Sequence, residues 1–260
     1  MQIIDSHCHI KDESSTQQLL ESMEKNSIEK FVLISWPFWQ SSDNNALLKI
    51  KENNAEQTDA KHPPPFSVVG SIKLKNNKKL KADFNILKNL AEQKKIVGIK
   101  IYTGYEHFFA NDKLCYKLAE ICIENKIPLL FHSGDCWSGA ERAKIRFSHP
   151  IYIDDIAADF PDLNIIICHF GNPWLMDAAE VMYKNKNVYA DLSALDTKKP
   201  WDKMKKRLEE AIEYGQCSEK FLFGTDFPLF PADVQIKRIK SLPLDREKTF
   251  HGNAEKIFGI

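Results

Sequence analysis

Short runs of β-branched and aromatic residues recur along the chain. Each is followed by a longer stretch in which apolar positions return every three or four residues among lysines and glutamates. The runs predict strands at Ile3–His9, Lys30–Ser35, Ser67–Lys73, Val97–Tyr102, Pro128–His132, Asn164–His169, Val188–Asp191 and Lys220–Gly224. The longer stretches predict helices near 15–26, 43–58, 80–94, 112–125, 150–159, 173–184, 201–214 and 232–241, with a last helix over 245–258. Near-continuous apolar strands suit a parallel sheet buried on both faces, and strand–helix alternation suits βαβ units. Eight such units in 260 residues point to an α/β protein of the closed (β/α)8 TIM-barrel class, which commonly runs to about 250 residues. An open doubly wound sheet is disfavoured, because no G-x-G-x-x-G follows the first strand. No linker-like shift in composition divides the chain, so one domain over 1–260 is expected. The proline cluster Pro63–Pro65 reads as a stiff turn, and the basic run over 73–81 as a solvated strand–helix junction.

Composition narrows the function classes. Apolar residues make up 43% and charged residues 28% of the chain, which is ordinary for a globular protein and excludes disordered or collagen-like classes. Lysine plus arginine balances aspartate plus glutamate at 36 each. There is thus no overall basic field of the kind that nucleic-acid or anionic-membrane partners require. The apolar runs fall far short of the roughly 20 residues that cross a bilayer, and the opening residues lack the basic and apolar regions of a secretory signal. The six cysteines form no C-x-x-C pair and read as reduced thiols. The expectation is a cytoplasmic protein acting on a small molecule.

The chemistry collects at one end of the predicted strands. His7 and His9 close strand 1, His132 closes strand 5, His169 closes strand 6, Asp191 closes strand 7, and Asp226 follows strand 8; Lys100 lies toward the end of strand 4. In a (β/α)8 barrel all eight strand C-termini converge on one mouth, where active sites form. His7 and His9 at i, i+2 face the same way, into the barrel, with Cys8 toward the helices. Two such imidazoles, a third nitrogen and a carboxylate make a zinc-type site with room for water.

Seven segments carry a family likeness: IIDSHCH (3–9), VGIKIY (97–102), IPLLFHSG (127–134), SHPIYIDDIAADFPDLNIIICHFG (148–171), NVYADLS (187–193), FLFGTDFP (221–228) and GNAEKIFGI (252–260). In words, order and spacing they resemble the amidohydrolase superfamily. The branch is amidohydrolase-2, which holds enzymes similar to aminocarboxymuconate-semialdehyde decarboxylase. The resemblance implies that His7, His9, His132 and Asp226 hold one divalent metal, zinc first and manganese as an alternative. Asp226 would also orient or deprotonate a water and carry its proton to a leaving group. It further implies that His169 is an acid/base or carbonyl-polarising group, or a ligand of a second metal. Lys100 reads either as a substrate contact or as a carboxylated bridge between two metals. Many members of the family carry Lys-x-His-Pro where this chain has Lys100, Ile101, Tyr102 and Thr103, so the role of that loop is not inherited directly. Tyr102, and Arg142 and Arg146 in the long loop 133–149, are candidate substrate contacts, the arginines for a carboxylate.

The function expected first is hydrolysis of a small ester, lactone or amide by a metal-activated water. The alternative is non-oxidative decarboxylation of an aromatic or unsaturated acid. A TatD-type DNase shares the opening DSHCH but carries glutamates that are absent from VGIKIY and FGTDFP. A ligand-binding barrel without catalysis is the fourth reading. His62, His107, His149 and His251 are read as turn, loop or helix-approach residues, and a homodimer is an expectation of the resemblance alone.

Overall fold

A computed structural model describes residues 2–10, 12–38, 40–55, 65–195 and 200–260. Eight strands pair in sequence order, each parallel to the next: β1 (Ile3–Cys8), β2 (Ile28–Ile34), β3 (Phe66–Ser71), β4 (Gly98–Ile101), β5 (Leu129–Phe131), β6 (Ile165–Ile167), β7 (Val188–Asp191) and β8 (Phe221–Leu222). The circle closes where β8 and the residues after it return to β1. Ser6 N donates to Phe223 O at 2.9 Å, Asp226 N to His7 O at 2.8 Å and His9 N to Phe227 O at 2.9 Å. The architecture is a (β/α)8 TIM barrel.

Ten α-helices are described: α1 (Glu13–Asn26), α2 (Asn44–Ala55), α3 (Leu80–Glu92), α4 (Thr103–Glu106), α5 (Lys113–Asn125), α6 (Ile153–Asp159), α7 (Leu175–Lys184), α8 (Trp201–Tyr214), α9 (Ala232–Ile239) and α10 (Asn253–Phe258). Asp12 and Asp112 begin α1 and α5 as N-caps, their carboxylates accepting from Ser15 N and Leu114 N. The expected helix over 43–58 is described to residue 55, and its last residues, His62, Pro63 and Pro64 lie outside the described residues. One element was not expected: the single turn α4, directly after β4, whose Glu106 accepts from Leu74 N and Lys75 N and ties the loop after β3 to the loop after β4.

Alternation along the strands sorts side chains into two layers. Phe31, Leu33, Ile99, Ile101, Leu129, Phe131, Ile165 and Ile167 pack toward the helices. Val32, Ile34, Val69, Leu130, Ile166 and Leu222 fill the barrel, which Ile257 and Phe258 of α10 close from below. β1 breaks strict alternation. Ile4 packs with the interior set and both Ile3 and Cys8 with the helix side, and the pairing of β1 with β2 shifts register between Asp5 and Cys8. A bulge of this kind re-aims side chains; here it turns His7 and His9 inward at the top of a strand whose Ile4 also faces inward. Among the described residues no helix is long and apolar enough to cross a membrane.

Candidate metal centre

Three of the expected site residues, His7, His9 and Asp226, come together at the mouth. His7 Nε2 and His9 Nε2 stand 3.7 and 3.5 Å from the same oxygen, Asp226 Oδ1. These separations are too long for hydrogen bonds. They are close to the roughly 3.4 Å between ligand atoms that sit about 2.1 Å from one tetrahedral ion. His9 Nδ1 donates to Ile34 O at 2.9 Å, so its Nε2 carries the lone pair. His7 Nε2 is buried and has no hydrogen-bond partner among the described residues. Two imidazole nitrogens and a carboxylate oxygen facing one another without a proton between them fit a divalent cation. A second cluster, His7, Cys168 and Asp191, also gathers potential ligand atoms. Its groups are taken up by hydrogen bonds, with His7 Nδ1 at 2.9 Å from Asp191 and Lys100 Nζ donating to Cys168 Sγ at 2.8 Å.

Backbone conformation places these groups. Asp226 lies in the left-handed region at φ 56°, as do His169 at 58° and Phe170 at 43°. Non-glycine residues adopt this region at a cost of order 1–3 kcal/mol and cluster at functional sites. Asp5, wholly buried under β1, braces the pair of strands by accepting from Thr225 N at 3.0 Å and Thr225 Oγ1 at 2.7 Å. Gly224 makes the approach of β8 feasible, since a Cβ there would stand 2.9 Å from His7 Cβ and 3.2 Å from Ser193 Cβ. Gly224→Ala is therefore expected to cost roughly 1–3 kcal/mol of stability through overpacking, read as a lower urea midpoint. An unchanged midpoint would show that this contact is loose.

The remaining candidates are placed as follows. His132 stands across from His169 with ring centroids 5.1 Å apart, and its Nε2 donates to Asp135 O at 2.9 Å; it does not join the two imidazoles that converge on Asp226 Oδ1. His169 lies 4.8 Å from His7, centroid to centroid. Lys100 is wholly buried, its ammonium directed at Cys168 Sγ inside the barrel. Tyr102 is also buried, and its hydroxyl donates to Ser35 O at 2.7 Å. Arg142 and Arg146 are exposed on the loop after β5, Arg146 over the ring of Phe147. His107 bonds the Arg142 carbonyl, His149 accepts from Ile151 N, and His251 faces Glu29 and Glu255.

One feature escaped the sequence reading, and a second was read there only as a strand end. Trp36, directly after β2, sits 5.9 Å from the His9 ring and 4.6 and 5.1 Å from Tyr102 and Tyr105, with Tyr105 4.9 Å from His132. An aromatic wall therefore borders the mouth. Asp191 and Ser193 at the end of β7 bond both His7 and His169. Trp36 and Tyr105 follow β2 and β4, so the strand-end rule that found the histidines and Asp191 covers them too.

Burial sets the charge states. It pushes His7 down to about 4 and His9 to about 3, with Lys100 adding to it, and pushes His169 to about 3 with His7 adding. His132 is held well below the usual histidine range by burial and by His169. The imidazoles are neutral and available as ligands. Burial raises Asp226 to about 7, with Lys100 partly opposing it. Burial works against ionisation of Asp191 as well, but His7 outweighs it with help from His169 and Lys100, and Asp191 stays well below the usual carboxylate range.

Relatives agree with this geometry at the level of fold. Three solved structures span nearly the whole chain. The first is an uncharacterised TIM-barrel protein from Bordetella bronchiseptica (21% identical, TM-score 0.77, 100% of this chain and 99% of that one). The second is a probable 2-pyrone-4,6-dicarboxylic acid hydrolase from Acinetobacter baumannii with citric acid bound (15%, 0.70, 100% of each). The third is a dihydroxybenzoic acid decarboxylase from Polaromonas sp. JS666 with bound manganese and the inhibitor 2-nitroresorcinol (15%, 0.66, 99% and 96%). Protein fluG of Emericella nidulans is 27% identical over 142 residues, a match that takes in 55% of this chain and spans only 15% of that protein's length. The amidohydrolase family model matches residues 84–260, a stretch that holds Lys100, His132, His169, Asp191 and Asp226. With more than half of its length matched by that model, the chain belongs to the amidohydrolase family.

Proposed function

We propose that the protein is a metal-dependent hydrolase that attacks a small ester, lactone or amide with an activated water. The observation that carries this reading is the convergence of His7 Nε2 and His9 Nε2 on Asp226 Oδ1 at 3.7 and 3.5 Å, too long for hydrogen bonds. In this reading His7, His9 and Asp226 hold one divalent ion, zinc first from the donor set and manganese as the alternative. His132 joins them by exchanging its bond to the Asp135 carbonyl. Such an ion, when bound, supplies Lewis acidity that polarises a carbonyl and brings the pKa of water from 15.7 to about 7.

The proton work falls to the side chains. Asp226 is the base that accepts a proton from water and returns it to the leaving oxygen or nitrogen; in the metal-free chain burial raises it to about 7. His169, neutral and anchored through Nδ1 on Ser193 Oγ at 2.8 Å, is the second proton-handling group. Lys100 is a fixed buried charge beneath them that favours the ionised form of Asp226. Arg142 and Arg146 are the outer contacts offered to a substrate carboxylate.

A second reading, decarboxylation of an aromatic acid, is favoured by one observation: the wall of Trp36, Tyr102 and Tyr105 beside His9 and His132. The test is a panel of esters, lactones and amides, followed by product release, beside a panel of aromatic acids, followed by CO2. Hydrolysis that stops with a chelator and returns with zinc or manganese is the expected result. CO2 release without hydrolysis would transfer the site to the second reading, and inertness toward both panels would remove the catalytic reading.

A further inference from the structure

The end of β7 holds a carboxylate with four donors around it. Asp191 Oδ2 lies 2.9 Å from His7 Nδ1. Asp191 Oδ1 accepts from His169 N and from Ser193 N, each at 3.1 Å, and from the hydroxyl of Ser193. Ser193 Oγ in turn lies 2.8 Å from His169 Nδ1 and 3.2 Å from His7 Nδ1. Asp191 and Ser193 are wholly buried or nearly so, which leaves no water to substitute for a missing partner.

The protons in this network can be counted. A serine hydroxyl has one hydrogen, and the close contact with Asp191 Oδ1 claims it, because the carboxylate has none to offer. Ser193 Oγ must then accept, so the proton between it and His169 belongs to Nδ1 of His169. By the same count Asp191 Oδ2 accepts from His7, which puts the proton of His7 on Nδ1. The opposite tautomer would set an imidazole lone pair against a carboxylate oxygen at 2.9 Å. Both rings are left with their Nε2 lone pairs open, and they lie 4.8 Å apart, centroid to centroid.

The geometry assigns Asp191, with Ser193 as its relay, as the positioning residue that fixes His7 and His169 together in the Nδ1–H tautomer. One carboxylate thereby keeps His7 ready as a metal ligand and His169 ready as a proton acceptor, and the inference rests on the metal reading above for the first of these. It also refines the expectation for His169. A group that polarises a carbonyl must donate from Nε2, and this network reserves Nε2 as an acceptor. Hydrogen bonds from a ligating histidine to an outer carboxylate have such a role in metal sites generally, where removing them costs about 10–100-fold in affinity.

The test uses the full chain labelled with 15N in its histidines, metal-free and then titrated with zinc against a competing chelator. In the native protein His7 and His169 are expected to show Nδ1–H tautomers before any metal is added. Asp191→Asn puts an amide N–H against donors it cannot satisfy, so the His7 tautomer should shift to Nε2–H or become mixed, with zinc affinity falling about 10–100-fold. Ser193→Ala removes the relay and a longer contact to His7 but keeps the 2.9 Å Asp191–His7 bond, so His169 should lose its fixed tautomer while zinc affinity stays within about threefold. An Nε2–H tautomer for His7 in the native protein overturns the assignment, even if Asp191→Asn fails to fold. So does an Asp191→Asn protein with native tautomers and native zinc affinity. A native chain that takes up no zinc but shows both Nδ1–H tautomers would sink the metal reading and leave the assignment of Asp191 standing.

Discussion

Asp226→Asn is expected to weaken zinc binding about a hundredfold or more and to lower turnover about 10³-fold, while the metal-free protein stays folded. The substitution keeps the shape of the side chain but removes the negative charge opposite His7 Nε2 and His9 Nε2. It also removes a carboxylate whose affinity for a proton burial raises to about 7. Stability should move in the other direction. Burial raises Asp226 to about 7 in the folded chain, above its ordinary value of 3.8. The favourable contribution of such a group is complete below the ordinary value and is lost as pH rises through about 7. At pH 8 the native chain therefore carries a buried, unpaired carboxylate that the asparagine variant lacks. The thermal midpoint of the metal-free variant should equal or exceed that of the native protein at pH 8, with the difference shrinking toward pH 5. A variant that keeps native zinc affinity would show that Asp226 is not a ligand.

Zinc affinity should fall about tenfold per pH unit below pH 7, the slope of a single proton. The sign follows from the charge states. Asp226 holds a proton below about 7, and a cation must displace it. His7 and His9, at about 4 and about 3, are already neutral and have no proton to release until the solution is far more acidic. The profile should be flat above pH 7, fall with unit slope to about pH 4, and steepen below that. Zinc titrations at pH 5, 6, 7 and 8 read the slope directly. In Asp226→Asn the fall between pH 7 and 5 should vanish. A slope of two or more above pH 5 would mean that a histidine releases its proton in the same range, which burial beside Lys100 disfavours.

Much of this molecule was legible because barrel strands have a simple signature. Ile165–Ile167 and Leu129–Phe131 are wholly apolar, since both faces of a parallel strand are covered. The rule that strand C-termini share one mouth then brings His7, His9, His132, His169 and Asp226 together from the sequence alone. The expected strands ran past the observed ends at His9, His132 and His169. Regular pairing stops short of these residues, although His9 N and His132 N still bond Phe227 O and Ile101 O, and apolar runs do not mark that point. The bulge in β1 was not legible either, because it depends on how β1 registers against β2 and receives β8. Asp191 was noticed only as a strand end, for its value lies in donors supplied by three other residues, His7, His169 and Ser193. Trp36 gave no motif, and its place beside His9 follows from the turn after β2.

The same physical theme recurs at each group. Burial at the mouth lowers the proton affinity of the imidazoles and raises that of Asp226. What results is a set of neutral nitrogen donors around one carboxyl poised near pH 7, which is the arrangement a divalent ion and a proton-transferring step both require.

Metal content per chain is the most direct measurement, made by elemental analysis of protein purified without chelator or added metal and repeated after equilibration with Zn2+ and with Mn2+. About one ion per chain, lost when His9 or Asp226 is replaced, is the expected result. A chain that carries none and takes up neither ion would contradict the account, because His7 Nε2, His9 Nε2 and Asp226 Oδ1 would then face one another for some purpose other than holding a cation.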